Sequence, residues 1–453
     1  MRHVFNIWRC YHRSRRARKE ISDSANDQCP ITNDQFAQGA ENPLHFSHWS
    51  LVICHWSLVV CHWSFCHDMF ITCMRLGASA ILIFWLVAGW ITLRGTRRLS
   101  RLTIPRGRRV RPAVSVIVPA RNEAWVLPRS IASLVGQTYP DLEVIALNDR
   151  STDDTGAVLE SLKRIHSRLT VIHLDSLPEG WLGKTHALYS GSRRARGEWF
   201  LFTDADVIFH PQCLEAAIAW ADANRVDHLV VIPRVETVGF WENVLVSCFS
   251  LLFALALRPW RVSDPRSRAS IGIGAFNLIR RSAYEAMGTH RALANAVVDD
   301  LELGRLVKHH GLRQAVVRGE DLLSVRWQVG LSGVISGLEK NAFAGVEYSL
   351  GRAVATCLAL AILGIVPFLG AAFGPASGLW AVAALAVIGI QAAHARQARL
   401  PAWPALFHPL AVAVLIYAIA RSTFLTLHRG SVQWRGTSYP LAALRRRPGT
   451  PKT

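Results

Sequence analysis

From Leu76 to Leu93 the chain runs without a single charged residue, and no other feature restricts its architecture as much. A helix rises 1.5 Å per residue, so roughly 18 apolar residues just cross a hydrocarbon core. The run passes directly into Arg94, Arg97, Arg98, Arg101, Arg106, Arg108 and Arg109 without a small-residue cleavage site, which favours a retained anchor over a cleaved signal peptide. Lys and Arg concentrate on the cytoplasmic side of membranes, so the segment that follows is expected in the cytosol. Three more apolar runs lie near the C-terminus, at Ala353–Phe373, Leu379–Ala393 and Phe407–Ile419, joined by a neutral GPASG and a basic HARQARLPAW connector. That pattern fits an out-and-back hairpin. A full final crossing would export Arg445, Arg446 and Arg447, so the last run reads as re-entrant or interfacial. A fifth run, Leu245–Leu257, is too short to span and is expected to touch the membrane near an acceptor entrance.

The chain has 453 residues, 51% of them hydrophobic, and a formal net charge of +19. One soluble domain plus membrane segments fits those values. The excess Lys and Arg flank apolar stretches, which suits anionic lipid headgroups, and no nucleic-acid module accompanies the charge, so no nucleic-acid partner is expected. Six of the nine cysteines precede residue 74, leaving Cys213, Cys248 and Cys357, too few for a disulfide framework. Residues 48–67 form a seven-residue near-repeat, HWSLVICHWSLVVCHWSFCH. Its Cys54, His55, Cys61, His62, Cys66 and His67 are soft-ligand types, but they lack the CxxC spacing of structural zinc sites. The repeat reads instead as translated repetitive DNA, with the native start expected at Met69 or, directly before the apolar run, Met74.

From Val114 to about Val317 short β-branched runs alternate with longer amphipathic stretches: VSVIVP, EVIALN, LTVIHL, WFLFTD and HLVVIP. This alternation predicts an α/β domain around a mostly parallel sheet, whose ligands bind beyond the carboxyl ends of the strands. Pro119, Arg121 and Glu123 follow the first strand, Asp149 the second, and Asp204 and Asp206 the WFLFT strand.

In NDRSTDDT, Asp149 is placed to accept hydrogen bonds from a base or ribose, while Ser151, Thr152 or Asp153 can cap the next helix. The TDADV carboxylates allow one contact to a ribose hydroxyl and one to a divalent ion on a diphosphate, as Mg2+ and Mn2+ prefer hard oxygen ligands. Lys184 in GWLGKTHAL offers an ammonium to phosphate, with His186 a lesser candidate. In AVVDDLELGRLVKHHG one of Asp299 and Asp300 can stabilise a helix N-terminus and the other can act as a general base toward an acceptor hydroxyl.

In their order and spacing these pieces resemble the family 2 glycosyltransferases with a GT-A fold, over about residues 112–350. The stretch VSVIVPARNEAWVLPRSIASLVGQTYPDLEVIALNDRSTDDT carries the resemblance most specifically. It implies a Rossmann-like GT-A domain with transmembrane helices on both sides, a nucleoside contact at Asp149, a metal and ribose site at Asp204 and Asp206 with the metal on Asp206, and Asp300 as the base. The DPRSR stretch (264–268), the VDD pair and the flanking membrane runs look most like hopene-associated and carotenoid-type members. That implies single-sugar transfer from a nucleotide-diphosphate sugar, UDP by family default, to a lipid or polyisoprenoid acceptor at a bacterial-type inner membrane.

The expected division is a low-complexity segment at 1–73, a transmembrane helix at 76–93, the GT-A domain at 112–325 and an interfacial, acceptor-side segment at 326–352. Two to three transmembrane or re-entrant helices at 353–420 and a basic tail at 421–453 complete it. The chain departs from the family in two places. Asn148 precedes Asp149 where paired Asp residues are usual, and Leu323 occupies the Gln position of the QxxRW signature ahead of Arg326 and Trp327. The second departure argues against a processive polysaccharide synthase, and GLEKNAFAG offers Lys340 as a diphosphate or headgroup contact instead. The WRGTSY tail resembles those of the membrane subgroup, and no role follows from its sequence. A nucleotidyltransferase or a catalytically silent scaffold are the alternatives, the latter with no reason to keep Asp149, Asp204, Asp206 and Asp300 together.

Overall fold

The computed structural model describes residues 43–105, 111–434 and 437–445, the side chains of 43–61 and of Ser64 excepted. Part of the Cys/His repeat, Arg106, Arg108, Arg109, Arg446 and Arg447 therefore lie outside the described residues, as do residues 1–42 of the low-complexity segment. Two compact units are present, residues 1–70 and residues 71–453. The described part of the first is helical from Pro43.

Helix α1 (Pro43–Arg97) precedes the α/β domain. In chain order the domain then runs β1 (Val114–Ala120), α2 (Leu127–Val135), β2 (Leu142–Asp149), α3 (Thr155–Ile165), β3 (Leu169–Leu174), α4 (Gly183–Ser192), β4 (Trp199–Phe202), β5 (Val207–Phe209) and α5 (Cys213–Ala223). It continues with β6 (His228–Ile232), β7 (Arg234–Val235), α6 (Gly239–Leu257), β8 (Asn277–Arg280), α7 (Arg281–Ala286), α8 (Asp299–His309), β9 (Gln314–Arg318) and β10 (Leu323–Val325). Beyond it lie α9 (Gly330–Gly345), α10 (Leu350–Gly364), α11 (Val366–Phe373), α12 (Ser377–Gln397), α13 (His408–Arg429), β11 (Ser431–Trp434), β12 (Thr437–Pro440) and α14 (Leu441–Leu444).

The main sheet has seven strands in the order β3-β2-β1-β4-β8-β6-β9, parallel except where β8 pairs antiparallel with β4 and β6. A smaller sheet orders β5-β10-β7. Strand residues alternate between two faces, and β1 divides accordingly. Val114, Val116 and Val118 join Leu127, Ile131 and Leu134 of α2 on one face, while Ile117 joins Ala187 and Leu188 of α4 on the other. The α2 positions recur at i, i+4 and i+7, the stripe a helix needs to lie on a sheet. Each such fully buried Leu or Ile stabilises the fold by roughly 1.5–3 kcal/mol. Gly191 lets α4 approach the sheet, since a Cβ there would lie 2.6 Å from the Ile117 side chain.

Four helices are long and apolar enough to cross a membrane: Phe65–Arg97, Gly239–Arg261, Ser377–Gln397 and Trp403–Arg429. The paired α9 and α10 pass the same test together but bend by 119° at their junction. The Leu245–Leu257 run is thus longer in the fold than in the sequence, because α6 begins at Gly239. Its Glu242, which ends the apolar run, is neutralised by Arg326 Nη2 at 2.7 Å and accepts from the Val238 and Gly330 amides at 2.9 Å each. The last two C-terminal runs lengthen likewise, through polar pairs such as Gln391 Nε2 to Ser247 Oγ at 3.1 Å and Ser422 Oγ to the Glu339 carbonyl at 2.6 Å. The RW pair serves this packing: while Arg326 holds Glu242, Trp327 stacks on Phe249 at 4.6 Å between centroids.

Candidate active site

The loops after β1 and β2 are laced together. Asn122 takes a left-handed φ of 57° and accepts from the Thr152 amide at 2.8 Å, while its own amide donates to Ser151 Oγ at 3.1 Å. The Glu123 amide donates to Thr155 Oγ1 at 2.8 Å, so the hydroxyls of NDRSTDDT bind the neighbouring loop. Asp149, at the end of β2, is buried and gripped by its neighbour Arg150, whose Nε and Nη2 reach the two carboxylate oxygens at 2.7 and 3.2 Å. A Cβ on Gly183 would lie 2.3 Å from Asp149 Oδ2, so only glycine lets the start of α4 sit against that carboxylate. Pro119 stays within β1, paired in register with Leu147. Arg121 Nη1 reaches Thr437 Oγ1 at 3.3 Å.

The second half of the site forms around Lys184, on the first turn of α4. Its Nζ lies 2.8 Å from Asp204 Oδ1 and 3.5 Å from Asp299 Oδ2. Burial by itself would lower the ammonium's pKa, but Asp204, Asp299 and Asp300 outweigh it and hold Lys184 above its ordinary value. Asp300 stands in the first turn of α8, where Oδ2 accepts from the Gly274 amide at 2.9 Å and Oδ1 from the Leu301 amide at 2.8 Å. The Gly274 carbonyl in turn accepts from the Asp204 amide at 2.9 Å, so one short segment ties the DxD loop to the acid pair. Burial, then the Asp299 charge, push Asp300 up to about 6. Burial, then repulsion from Asp204 and Glu123, raise Asp206 to about 7.

The sequence reading missed that bridging segment. A Cβ on Gly272 would lie 1.8 Å from the Asp300 carbonyl oxygen, and one on Gly274 2.2 Å from Asp204 Oδ2. Its signal was the two closely spaced glycines of GIGAF just ahead of a strand. Two adjoining pockets share Lys184 and Asp299. The first takes in Asp204, Asp300 and His290, and the second Lys340, Trp434 and Tyr439. Lys340 Nζ lies 3.7 Å above the Trp434 ring centroid. Lys184, Asp204, Asp299, Asp300 and Lys340 thus converge, with Asp206 beside Asp204. The DPRSR turn instead receives Lys308 Nζ on the Asp264 carbonyl at 2.9 Å, and serves α8 rather than the cavities. Among the described residues no group of three or more His, Cys, Asp or Glu could hold a metal ion unaided.

Residues 115–288 match the model of Glycosyl transferase family 2. The chain carries a family 2 glycosyltransferase domain. The match includes Asp149, Lys184, Asp204 and Asp206 and ends before Asp299, Asp300 and Lys340. The glycosyltransferase is similar to the 4,4'-diaponeurosporenoate glycosyltransferases of Staphylococcus aureus. For strain MRSA252 the identity is 24% over 339 residues, covering 73% of this chain and 89% of the relative. Among solved structures it is similar to mannosyltransferase PcManGT from Pyrobaculum calidifontis in complex with GDP-Man and Mn2+. That likeness has 20% identity and a TM-score of 0.48, covering 78% of this chain and 98% of the other. Residues 1–349 of S. aureus TarS in complex with UDP give 17% identity and a TM-score of 0.34 over 72% and 95% of the two chains. The seven-stranded, mostly parallel sheet with ligand-type residues at its strand ends is GT-A-like.

Proposed function

We propose that this glycosyltransferase moves a single sugar, with inversion, from a nucleoside-diphosphate sugar to a hydroxyl of a lipid or lipid-linked acceptor at the cytosolic face of a bacterial-type inner membrane. One observation carries the reading. Lys340, on the first half of the bent apolar pair α9–α10, lines the same cavity as Lys184 and Asp299, so a sugar held by those residues would sit beside helices suited to a bilayer. A relative named for diaponeurosporenoate supports a hydrophobic acceptor.

In this mechanism Asp149 and Arg150 meet the nucleoside, and Lys184 leaves its carboxylate partners to meet the diphosphate as a point charge. Asp206, with Asp204 beside it, supplies hard oxygen donors for Mg2+ or Mn2+. Such ions commonly take one or two protein carboxylates plus substrate phosphate oxygens, which fits two clustered carboxylates, Asp206 being raised by burial and then by the Asp204 charge. When bound, the ion would neutralise charge on the leaving diphosphate. Asp300 takes the acceptor proton as the acceptor oxygen bonds to the anomeric carbon from the face opposite the departing phosphate oxygen. The C–O bond to phosphate breaks, the nucleoside diphosphate leaves, and the anomeric configuration inverts.

The test expresses the chain in membranes with UDP- or GDP-sugars, Mn2+ or Mg2+ and a lipid extract, and measures nucleoside diphosphate release. Release should require lipid, metal and Asp300. Equal release by Asp300→Asn would sink the assignment of the base, and pyrophosphate as the product would replace glycosyl transfer with nucleotidyl transfer.

A further inference from the structure

Trp434 of the WRGTSY tail ends one strand, and Thr437 to Tyr439 lie in the other, of a small hairpin that closes on the glycosyltransferase site. Strands β11 and β12 pair antiparallel, Val432 opposite Tyr439 and Trp434 opposite Thr437. In an antiparallel pair those four side chains share one face, and that face packs on the domain and on α9. Val432 and Tyr439 are buried in a cluster with Leu182, Val297 and Phe343. Trp434 lies under the Lys340 ammonium. Thr437 receives Arg121 at 3.3 Å. The Tyr439 hydroxyl accepts from the Gly183 amide at 3.3 Å, and Gly183 packs directly on the Asp149–Arg150 pair, where a Cβ would lie 2.3 Å from Asp149 Oδ2 and 2.7 Å from Arg150 Nη2.

The base of the hairpin is fixed as well. Gly430 ends α13 with a left-handed φ of 62°, and its carbonyl accepts from the Leu441 amide at 2.8 Å. Asn295 Nδ2, just before the acid pair, donates to the Ala443 carbonyl at 2.8 Å. The tail therefore touches the loop after β1, the first turn of α4 and helix α9, and through Gly183 it borders the Asp149–Arg150 pair. The proposed function assigns the nucleoside to that pair and the diphosphate to Lys184 on the same turn.

We infer that the C-terminal hairpin is a wall of the donor site, with Tyr439 as a positioning residue that fixes the Gly183–Lys184 turn against the Asp149–Arg150 pair for the nucleoside diphosphate. The inference rests on the donor-site reading above and adds a determinant of donor affinity outside the family-matched residues. The phenol hydroxyl restrains the backbone at the start of α4, one residue before Lys184. Its loss lets the α4 turn relax away from the Asp149–Arg150 pair, which weakens donor binding more than the chemical step.

The test compares the full chain with Tyr439→Phe, which keeps the ring in its apolar cluster and removes only the hydroxyl. Binding of UDP and of GDP, each with Mn2+, is measured by calorimetry, beside donor KM, kcat and the thermal midpoint. Tyr439→Phe should weaken nucleotide binding and raise donor KM by about five- to tenfold, on the scale of one buried hydrogen bond, with a smaller change in kcat. Combined with Asp149→Asn it should add little, since both act through the packing of the Gly183 turn on Asp149. Unchanged nucleotide affinity and KM in Tyr439→Phe, with or without a lower thermal midpoint, would overturn the positioning role and leave the hairpin as packing. If the wild type binds neither nucleotide, the donor-site reading itself fails and this inference with it, an outcome distinct from a wild type that binds and a variant that binds equally.

Discussion

Lys184 carries the electrostatic balance of the site, with Asp204 at 2.8 Å and Asp299 at 3.5 Å. Its charge also restrains Asp300, whose carboxyl would otherwise rise further under burial and the Asp299 charge. A general base works only when deprotonated. The rate should therefore fall as pH drops through the raised Asp300 value of about 6, giving kcat/KM an acid limb above the ordinary carboxylate range. Lys184→Met removes a charge that lowers Asp300, so the limb should move to higher pH as the donor KM rises; a limb that stays in place would separate Lys184 from the base. Asp300→Asn should cost about 10²–10⁴ in kcat while nucleotide binding persists. The bridging glycines offer a geometric check. A Cβ on Gly272 would meet the Asp300 carbonyl at 1.8 Å, where backbone has to give, whereas one on Gly274 meets a side-chain oxygen of Asp204. Gly272→Ala should destabilise by roughly 1–3 kcal/mol, as overpacking does, seen as a lower Tm. Gly274→Ala should chiefly lose activity by displacing Asp204.

Among the elements, α6 shows how a charge is accommodated in an apolar helix. Glu242 is 3% exposed in its side chain and Arg326 40%, so the carboxylate depends on a partner that water can still reach. Removing one member of a buried pair strands the other. Arg326→Met should cost on the order of 3 kcal/mol, the low end of that range given Arg326's exposure, read as an earlier thermal transition in detergent. Arg326→Met combined with Glu242→Gln should recover most of the loss. The α2 stripe and the two faces of β1 were legible from spacing alone, because period 3.6 and period 2 are local properties of the chain. The start of α6 was not, since Glu242 and Arg326 stand 84 residues apart and hydropathy scores the carboxylate as though it were bare.

For the whole molecule, the unit from Ile71 onward contains the sheet, both cavities and the apolar helices from α6 to α13. Expression of residues 74–453 in membranes should therefore retain lipid-dependent nucleoside diphosphate release; a truncated chain that folds but fails to release it would assign the N-terminal repeat a role. The motifs themselves were readable in order. Strand runs ending in PARNE, NDRSTDDT and TDADV placed Asp149, Asp204 and Asp206 at strand ends, because a parallel sheet delivers its carboxyl ends to one edge. The sequence by itself determined the domain class, where the apolar runs lie, though not how long their helices are, and the residue types at those ends, all of which follow from local periodicity and turn chemistry. Only the tertiary structure decided that Lys184 stands between Asp204 and Asp299, that Gly274 links Asp204 to Asp300, and that Tyr439 returns across 256 residues to the Gly183 amide. Such contacts join segments far apart in the chain, and no local pattern encodes which distant partner will neutralise a buried charge or accept a buried amide.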